Sequence, residues 1–149
     1  MEQDQSSYRV HTFGALQIHN VNAIFPLTGD KPRSLLAYLI VRPRVPYRRE
    51  ILADMLWPDA PPDRGRRNLS DVLYRLQKVI TPEWLRVDSD TLAIQPNANL
   101  WVDIWEFDNL MASPDAENFQ RAVELYAGDL LPEIYDDWVL PERELRRSQ

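Results

Sequence analysis

The chain has 149 residues, of which 44% are hydrophobic, and carries a net charge of −6; that is room for one domain, or two small ones, with a real core. It has no cysteine, which excludes disulfides and thiolate metal sites. No apolar run approaches the roughly 18 residues of a membrane span, and the N-terminus MEQDQSSYRV lacks the basic-then-apolar pattern of a secretory signal, so a cytoplasmic protein with no membrane partner is expected.

Tyr8–Phe13 and Ala15–His19 are short runs separated by Gly14 and read as two paired strands; Val21–Pro26 offers a third. Thr28-Gly29-Asp30 is a turn, and Lys31-Pro32 opens a helix because proline suits a first helical turn. That helix runs to about Val41 with Leu35, Leu36, Leu39 and Ile40 on its buried side. Pro43 and Pro46 bracket a break. Arg48–Trp57 reads as a second helix burying Ile51, Leu52, Met55 and Leu56, and Pro58, Pro61 and Pro62 stiffen the loop after it. Asp63 is the candidate N-cap of a third helix, Arg64–Ile80, in whose first turn Gly65 sits awkwardly.

In this third helix Leu69, Val72, Leu73, Leu76, Val79 and Ile80 form one apolar stripe, while Arg64, Arg67, Tyr74 and Lys78 project from the other side at about 100° per residue. After Thr81-Pro82, Leu85–Val87 and Leu92–Ile94 flank Asp88-Ser89-Asp90-Thr91, a connection suited to a hairpin. Pro96–Asn99 is a turn and Leu100–Val102 one more strand. From Asp103 the pattern is acidic and helical: Ile104–Ala112, then Pro114/Asp115–Ala127, a link through Gly128 and Pro132, and a last helix from about Pro141 still running at Gln149. Because this last helix is still running at Gln149, the second part, residues 101–149, is expected to be truncated. The fold class expected is mainly α with small β-sheets: three helices then a hairpin, a winged helix over residues 1–100, followed by further helices.

The charge is unevenly spread. Residues 31–79 hold eleven basic and five acidic side chains, and residues 80–149 five basic and fifteen acidic. Nucleic-acid affinity follows the local field and counterion release rather than the chain total, so the basic, helix-rich segment is the candidate DNA-binding surface. An α-helix fits the major groove. On the third helix Arg67 and Lys78 suit phosphates or guanine edges, Asn68 an adenine, and Ser70 and Tyr74 a phosphate or base edge. Arg64 and Arg66 stand at the helix N-terminus, where free N–H groups add anion affinity. Arg48 and Arg49 at the start of the second helix are assigned to phosphates. Arg75 either contacts DNA or pairs with Asp71 at i,i+4. Asp71 lies in the middle of the exposed face, where a carboxylate can accept from cytosine but repels phosphate. The hairpin tip carries Asp88 and Asp90 with no basic residue, unlike a wing that enters the minor groove.

The stretch from Leu35 to Ile80 resembles the DNA-binding domain of the Streptomyces antibiotic regulatory protein (SARP) family, whose fold is similar to the winged helix of OmpR-type response regulators. The resemblance is carried by Leu35-Leu36-Ala37-Tyr38-Leu39, Arg49, Leu52, Leu56-Trp57-Pro58, Arg67-Asn68-Leu69 and Leu73-Tyr74-Arg75-Leu76. Val102-Asp103, Phe107, Leu125-Tyr126, Gly128-Asp129-Leu130-Leu131-Pro132, Trp138, Glu142-Arg143 and Leu145 resemble the start of that family's bacterial transcriptional activator domain, an all-helical, tetratricopeptide-like module. The resemblance implies a transcriptional activator that binds direct repeats in promoter DNA, as a homodimer, and recruits RNA polymerase. It also implies that the loop Trp57–Arg64 faces the polymerase, with Asp59 and Asp63 as candidate contacts. In that family Asp71 is usually basic or neutral and Gln77 often arginine.

Other chemistry has little support. His11 and His19 are the only histidines; they could meet across a strand pair, but two ligands are poor evidence of a metal site and surface strand histidines are the better reading. Glu133, Asp136, Asp137, Glu142 and Glu144 are too loosely spaced for an acid–base pair. Four scattered glycines make no phosphate loop, and no nucleophile signature appears. No enzyme activity and no cofactor are expected. Trp84, Trp101, Trp105 and Trp138 read as packing residues, with Trp101 and Trp105 joining the two parts. The competing reading is a winged helix that has lost DNA binding and serves as a protein–protein interaction module of a larger signalling protein.

Overall fold

A computed structural model of the chain describes residues 8–19, 24–25, 29–79, 85–95, 100–113, 115–134 and 136–147, with residues 24, 25 and 79 described by backbone only. In chain order these form β1 (Tyr8–His11), β2 (Gln17–His19), β3 (Ile24–Phe25), α1 (Asp30–Val41), β4 (Tyr47–Arg48), α2 (Arg49–Leu56), α3 (Pro62–Val79), β5 (Leu85–Val87), β6 (Thr91–Ile94), β7 (Leu100–Val102), α4 (Asp103–Ala112), α5 (Ala116–Leu125) and α6 (Val139–Arg147). The fold is mainly α with two small sheets: a winged helix and the helices that follow it. It divides into two compact units, one of residues 26–97 and one that joins residues 1–25 to 98–149. The expected turn at Thr81-Pro82, the turn Pro96–Asn99, Ile80, Trp84 and the end of the last helix at Gln149 lie outside the described residues.

In the unit of residues 26–97, α1 places Leu35, Leu36, Leu39 and Ile40 at zero exposure. That is the i, i+1, i+4, i+5 stripe of a helix docked along one side. Gly29 enters α1 with φ 91°, and Arg44 takes a left-handed φ of 72° in the turn that leaves it; the Arg44 N–H then donates to the Ile94 carbonyl at 2.7 Å. The chain continues into β4, a two-residue strand that pairs antiparallel with β6, so the sheet order is β4-β6-β5. Sequence reasoning placed Arg48 in the second helix; it belongs instead to β4, because its backbone is committed to pairing with Thr91. Ile51 was expected in the core and is 56% exposed. Helix α2 is only eight residues long and buries Leu52, Ala53 and Leu56, which leaves Ile51 on the outer side.

Helix α3 starts earlier than expected. Pro62 is its first residue, a position where the missing N–H costs nothing, so Asp63 lies within the first turn and is not the N-cap. Gly65 is buried inside the helix, and a Cβ there would stand 3.4 Å from the Ala53 Cβ. The residue that looks awkward in sequence is a point of close packing between α3 and α2.

In the other unit, β1 is the hinge of a four-stranded sheet ordered β3-β2-β1-β7, antiparallel to β2 and parallel to β7. Val10 and Ile18 face one another in register and are buried. Asp103, the first residue of α4, is buried and ties the sheet to the helix: its carboxylate accepts from the Thr12 N–H (2.9 Å to each oxygen), the Thr12 hydroxyl (2.6 Å) and the Phe13 N–H (3.0 Å). Asp115 caps α5 by accepting from the Asn118 N–H at 2.8 Å. The segment around Leu130 and Leu131, both at zero exposure, is held by Arg143, which donates to the carbonyls of Leu130, Leu131 and Ile134 at 2.8, 2.7 and 3.2 Å. Arg146, 6% exposed, bridges Asp108 at 2.7 Å and Glu142 at 2.6 Å. Burial by itself would disfavour that charge, and these two carboxylates more than compensate, so its pKa rises above the usual arginine value.

Candidate nucleic-acid interface

Helix α3 is one-sided. Gly65, Leu69, Val72, Leu73 and Leu76 are buried, at the spacing that packs against α2 and α1. Arg64, Arg66, Arg67, Ser70, Asp71, Tyr74, Arg75, Gln77 and Lys78 are exposed, and Asn68 is half-buried at the flank. Eighteen residues rise about 27 Å, so the outer face is a polar strip long enough to span a groove.

The basic side chains of this unit differ in how they are held. Among the described residues Arg64, Arg67 and Arg75 have no ion-pair partner. Asp71 and Arg75, four residues apart, make no ion pair either; both line a shallow groove with Asn68, Lys31 and Trp57. The Lys78 ammonium lies 4.5 Å from the centre of the Tyr74 ring, so the 62%-exposed tyrosine steers that cation rather than neutralising it. By contrast Arg66 is paired with Asp63 at 2.6 Å and Arg48 with Glu50 at 2.6 Å. Such exposed pairs contribute only about 0–1 kcal/mol and open readily to a stronger anion.

Arg49 does different work. Its guanidinium donates twice to the Asp88 carbonyl, at 3.1 and 2.9 Å, and its own N–H donates to the Asp90 carbonyl at 2.9 Å. It fastens the start of α2 to the tip of the β5–β6 hairpin. Nothing in the sequence announces this bond, because its partner is a backbone carbonyl 39 residues away. At the tip the Asp88 carboxylate lies 3.5 Å from the Arg86 guanidinium, and both Asp88 and Asp90 are exposed. The wing is therefore acidic at its end, as read from the sequence.

The loop between α2 and α3 forms one wall of a groove with Ile51, Trp57, Pro61 and Pro62 as its apolar lining and Glu50, Asp54 and Arg66 at its rim. Trp57 is half-buried, Asp59 is exposed, and Asp63 is held by Arg66. In the other unit, Trp101 stacks beneath Arg9, whose guanidinium carbon is 4.2 Å from the ring centre, and Trp105 is half-buried on α4. His11 and His19 do meet across β1 and β2, with their Nε2 atoms 3.0 Å apart. Among the described residues no group of three or more His, Cys, Asp or Glu is placed to hold a metal ion, and no helix is long and apolar enough to cross a membrane.

No protein-family model and no curated protein matches the sequence. Solved structures do match in shape. That of Mycobacterium tuberculosis EmbR in complex with a low-affinity phosphopeptide superposes with a TM-score of 0.72 over 95% of this chain, at 17% sequence identity. The chain spans 44% of the length of the EmbR chain. At that identity the likeness establishes the fold, and the fold of this chain is that of the corresponding part of EmbR.

Proposed function

We propose that this chain is the DNA-reading part of a transcriptional activator and that α3 enters the major groove of duplex DNA. One observation carries the reading: α3 is anchored by a buried apolar stripe while Arg64, Arg67 and Arg75 stand outward with no ion-pair partner among the described residues. In this reading Arg67 and Lys78 contact phosphates or guanine edges, Asn68 an adenine, Ser70 and Tyr74 a phosphate or base edge, and Arg64, Arg66 and Arg48 phosphates. Arg75 joins them where Asp71 leaves it free. Arg49 acts chiefly by setting the wing.

By resemblance to the SARP family, residues 1–100 serve as the DNA-binding module and residues 101–149 begin a tetratricopeptide-like activator domain. The protein then works in the cytoplasm without enzymatic activity or a cofactor, binds direct repeats as a homodimer, and meets RNA polymerase through the loop that bears Asp59 and Asp63.

A second reading has its own support. Asp71 in the middle of the exposed face and the acidic wing tip both oppose a polyanion, and they suit a winged helix that docks a protein instead. Fluorescence anisotropy with a labelled duplex at low salt separates the two. The DNA reading requires binding by the chain and its marked weakening in the Arg67→Ala/Lys78→Ala double variant. Absence of binding to promoter and random duplexes alike favours the protein-docking module.

A further inference from the structure

In the unit that joins residues 1–25 to 98–149, one face of the β3-β2-β1-β7 sheet carries Arg9, His11, His19 and Trp101. Register explains how they gather. Arg9 stands opposite His19 and His11 opposite Gln17, so the two histidines are diagonal neighbours on the face opposite Val10 and Ile18. Their Nε2 atoms are 3.0 Å apart, their ring planes differ by 12°, and their centroids are 5.0 Å apart. The centroids are thus farther apart than the nitrogens by nearly the span of the rings, so the imidazoles lie almost end to end. In this resting arrangement one Nε2–H donates to the bare Nε2 of the other.

A swing of the two part-buried rings makes this pair a chelate: the Nε2 lone pairs, now aimed at each other, turn toward a common point beside the line that joins them. Imidazole nitrogens sit about 2.0–2.1 Å from a bound divalent ion, so two of them at right angles are about 2.9 Å apart and at the tetrahedral angle about 3.4 Å. The observed 3.0 Å is the spacing of adjacent positions on a tetragonal ion, the preference of Cu(II) and Ni(II). Asp103 supports the ligand state. Its carboxylate lies 4.0 Å from Nδ1 of His11, which draws the ring proton to Nδ1 and leaves Nε2 as the free donor nitrogen. The other charged group at this face is Arg9, and its guanidinium is occupied over Trp101.

We propose that His11 and His19 together chelate one divalent transition-metal ion of the copper–nickel class through their Nε2 atoms, with water completing the coordination. The ion replaces the hydrogen bond between the two rings, the proton of the donor ring leaving Nε2 to solvent as Nδ1 of the same ring takes one up, and it locks β1 to β2. The proposal is independent of the DNA reading.

The test is titration of the chain with Cu(II) chloride, followed by pulsed EPR. The sequence contains two histidines and no cysteine, so a complex of one ion per chain with two imidazole nitrogens must use this pair. The expected results are that stoichiometry and two-nitrogen signature, their loss in His11→Ala and in His19→Ala, competition by Ni(II) and none by Mg(II). Trp101 lies edge-on to His11, with ring centroids 5.6 Å apart, so Cu(II) binding quenches its fluorescence and Trp101→Phe removes that quenching while keeping both nitrogens. A single imidazole nitrogen in the wild-type spectrum, one ion per two chains, or an unchanged signature in either histidine variant overturns the proposal. The wild-type spectrum decides the matter even where a variant folds poorly.

Discussion

Replacing Asp103 with alanine tests the account of how the sheet is joined to α4. The carboxylate is buried and receives three donors, the N–H of Thr12, the N–H of Phe13 and the hydroxyl of Thr12, at 2.6 to 3.0 Å. The hydroxyl can rotate to another acceptor; the two backbone N–H groups cannot. Each stranded buried donor costs about 1–3 kcal/mol, and the lost charge at the first turn of α4 adds about 0.3–1 kcal/mol. The sum, about 2–7 kcal/mol, is a large share of the ~5–15 kcal/mol that holds a typical domain together. Asp103→Asn keeps one acceptor oxygen and turns an amide group toward the donors, so it should cost about half as much. Urea unfolding followed by tryptophan fluorescence measures the loss, and amide exchange at Thr12 and Phe13 localises it. A loss below about 1 kcal/mol in the alanine variant, or protection unchanged at both amides, would refute the reasoning.

Substitutions at three further positions probe the other unit. Gly65→Ala should be neutral or stabilise by up to ~1 kcal/mol, because the helix gains the better former and the new methyl meets the Ala53 Cβ at an ordinary 3.4 Å; Gly65→Val should lower the melting temperature by forcing α3 off α2. Asp71→Asn should tighten duplex binding about threefold, since a carboxylate about 6 Å from a phosphate costs about 0.7 kcal/mol in water; weaker binding would assign Asp71 an accepting role at a base. Arg49→Ala should cost about 1 kcal/mol and speed amide exchange at Asp90 and Thr91, because the wing tip loses its guanidinium clamp; an unaltered exchange pattern would show that the clamp holds nothing.

What could be read from the sequence follows physical range. The stripe of Leu69, Val72, Leu73 and Leu76 and the quartet of Leu35, Leu36, Leu39 and Ile40 are local periodic signals, and all eight residues are buried. The hairpin of β5 and β6 was likewise legible from two short apolar runs around a polar turn. The parallel pairing of β1 with β7 was not, because it joins Tyr8 to Leu100 and three-residue strands carry no periodicity that names a partner. For the same reason β4 was invisible: it has two residues, Tyr47 and Arg48, and Arg48 reads as a helix start until its partner in β6 is known. At the start of α3 two signals competed, an acidic cap at Asp63 and a proline suited to the first turn, and the proline prevailed. Of the candidate site, the exposed face of α3 could be derived from helical geometry alone. The engagement of Arg49 with Asp88, and of Arg48 with Glu50, depends on neighbours that chain order leaves open for the first and on rotamer choice for the second. Asp103 and Arg143 entered through family resemblance; their hydrogen bonds give each a physical role in holding the fold.

The most direct test of the proposed role of α3 is the salt dependence of duplex binding. The four cations of α3 that have no carboxylate partner among the described residues, Arg64, Arg67, Arg75 and Lys78, by themselves give a slope of about −3.6 in log affinity against log salt, or roughly 150-fold weaker binding at about 200 mM than at about 50 mM. Removing Arg67 and Lys78 should flatten that slope by about 1.8. A slope that stays the same in the double variant, or no measurable binding at the lower salt, would contradict the account.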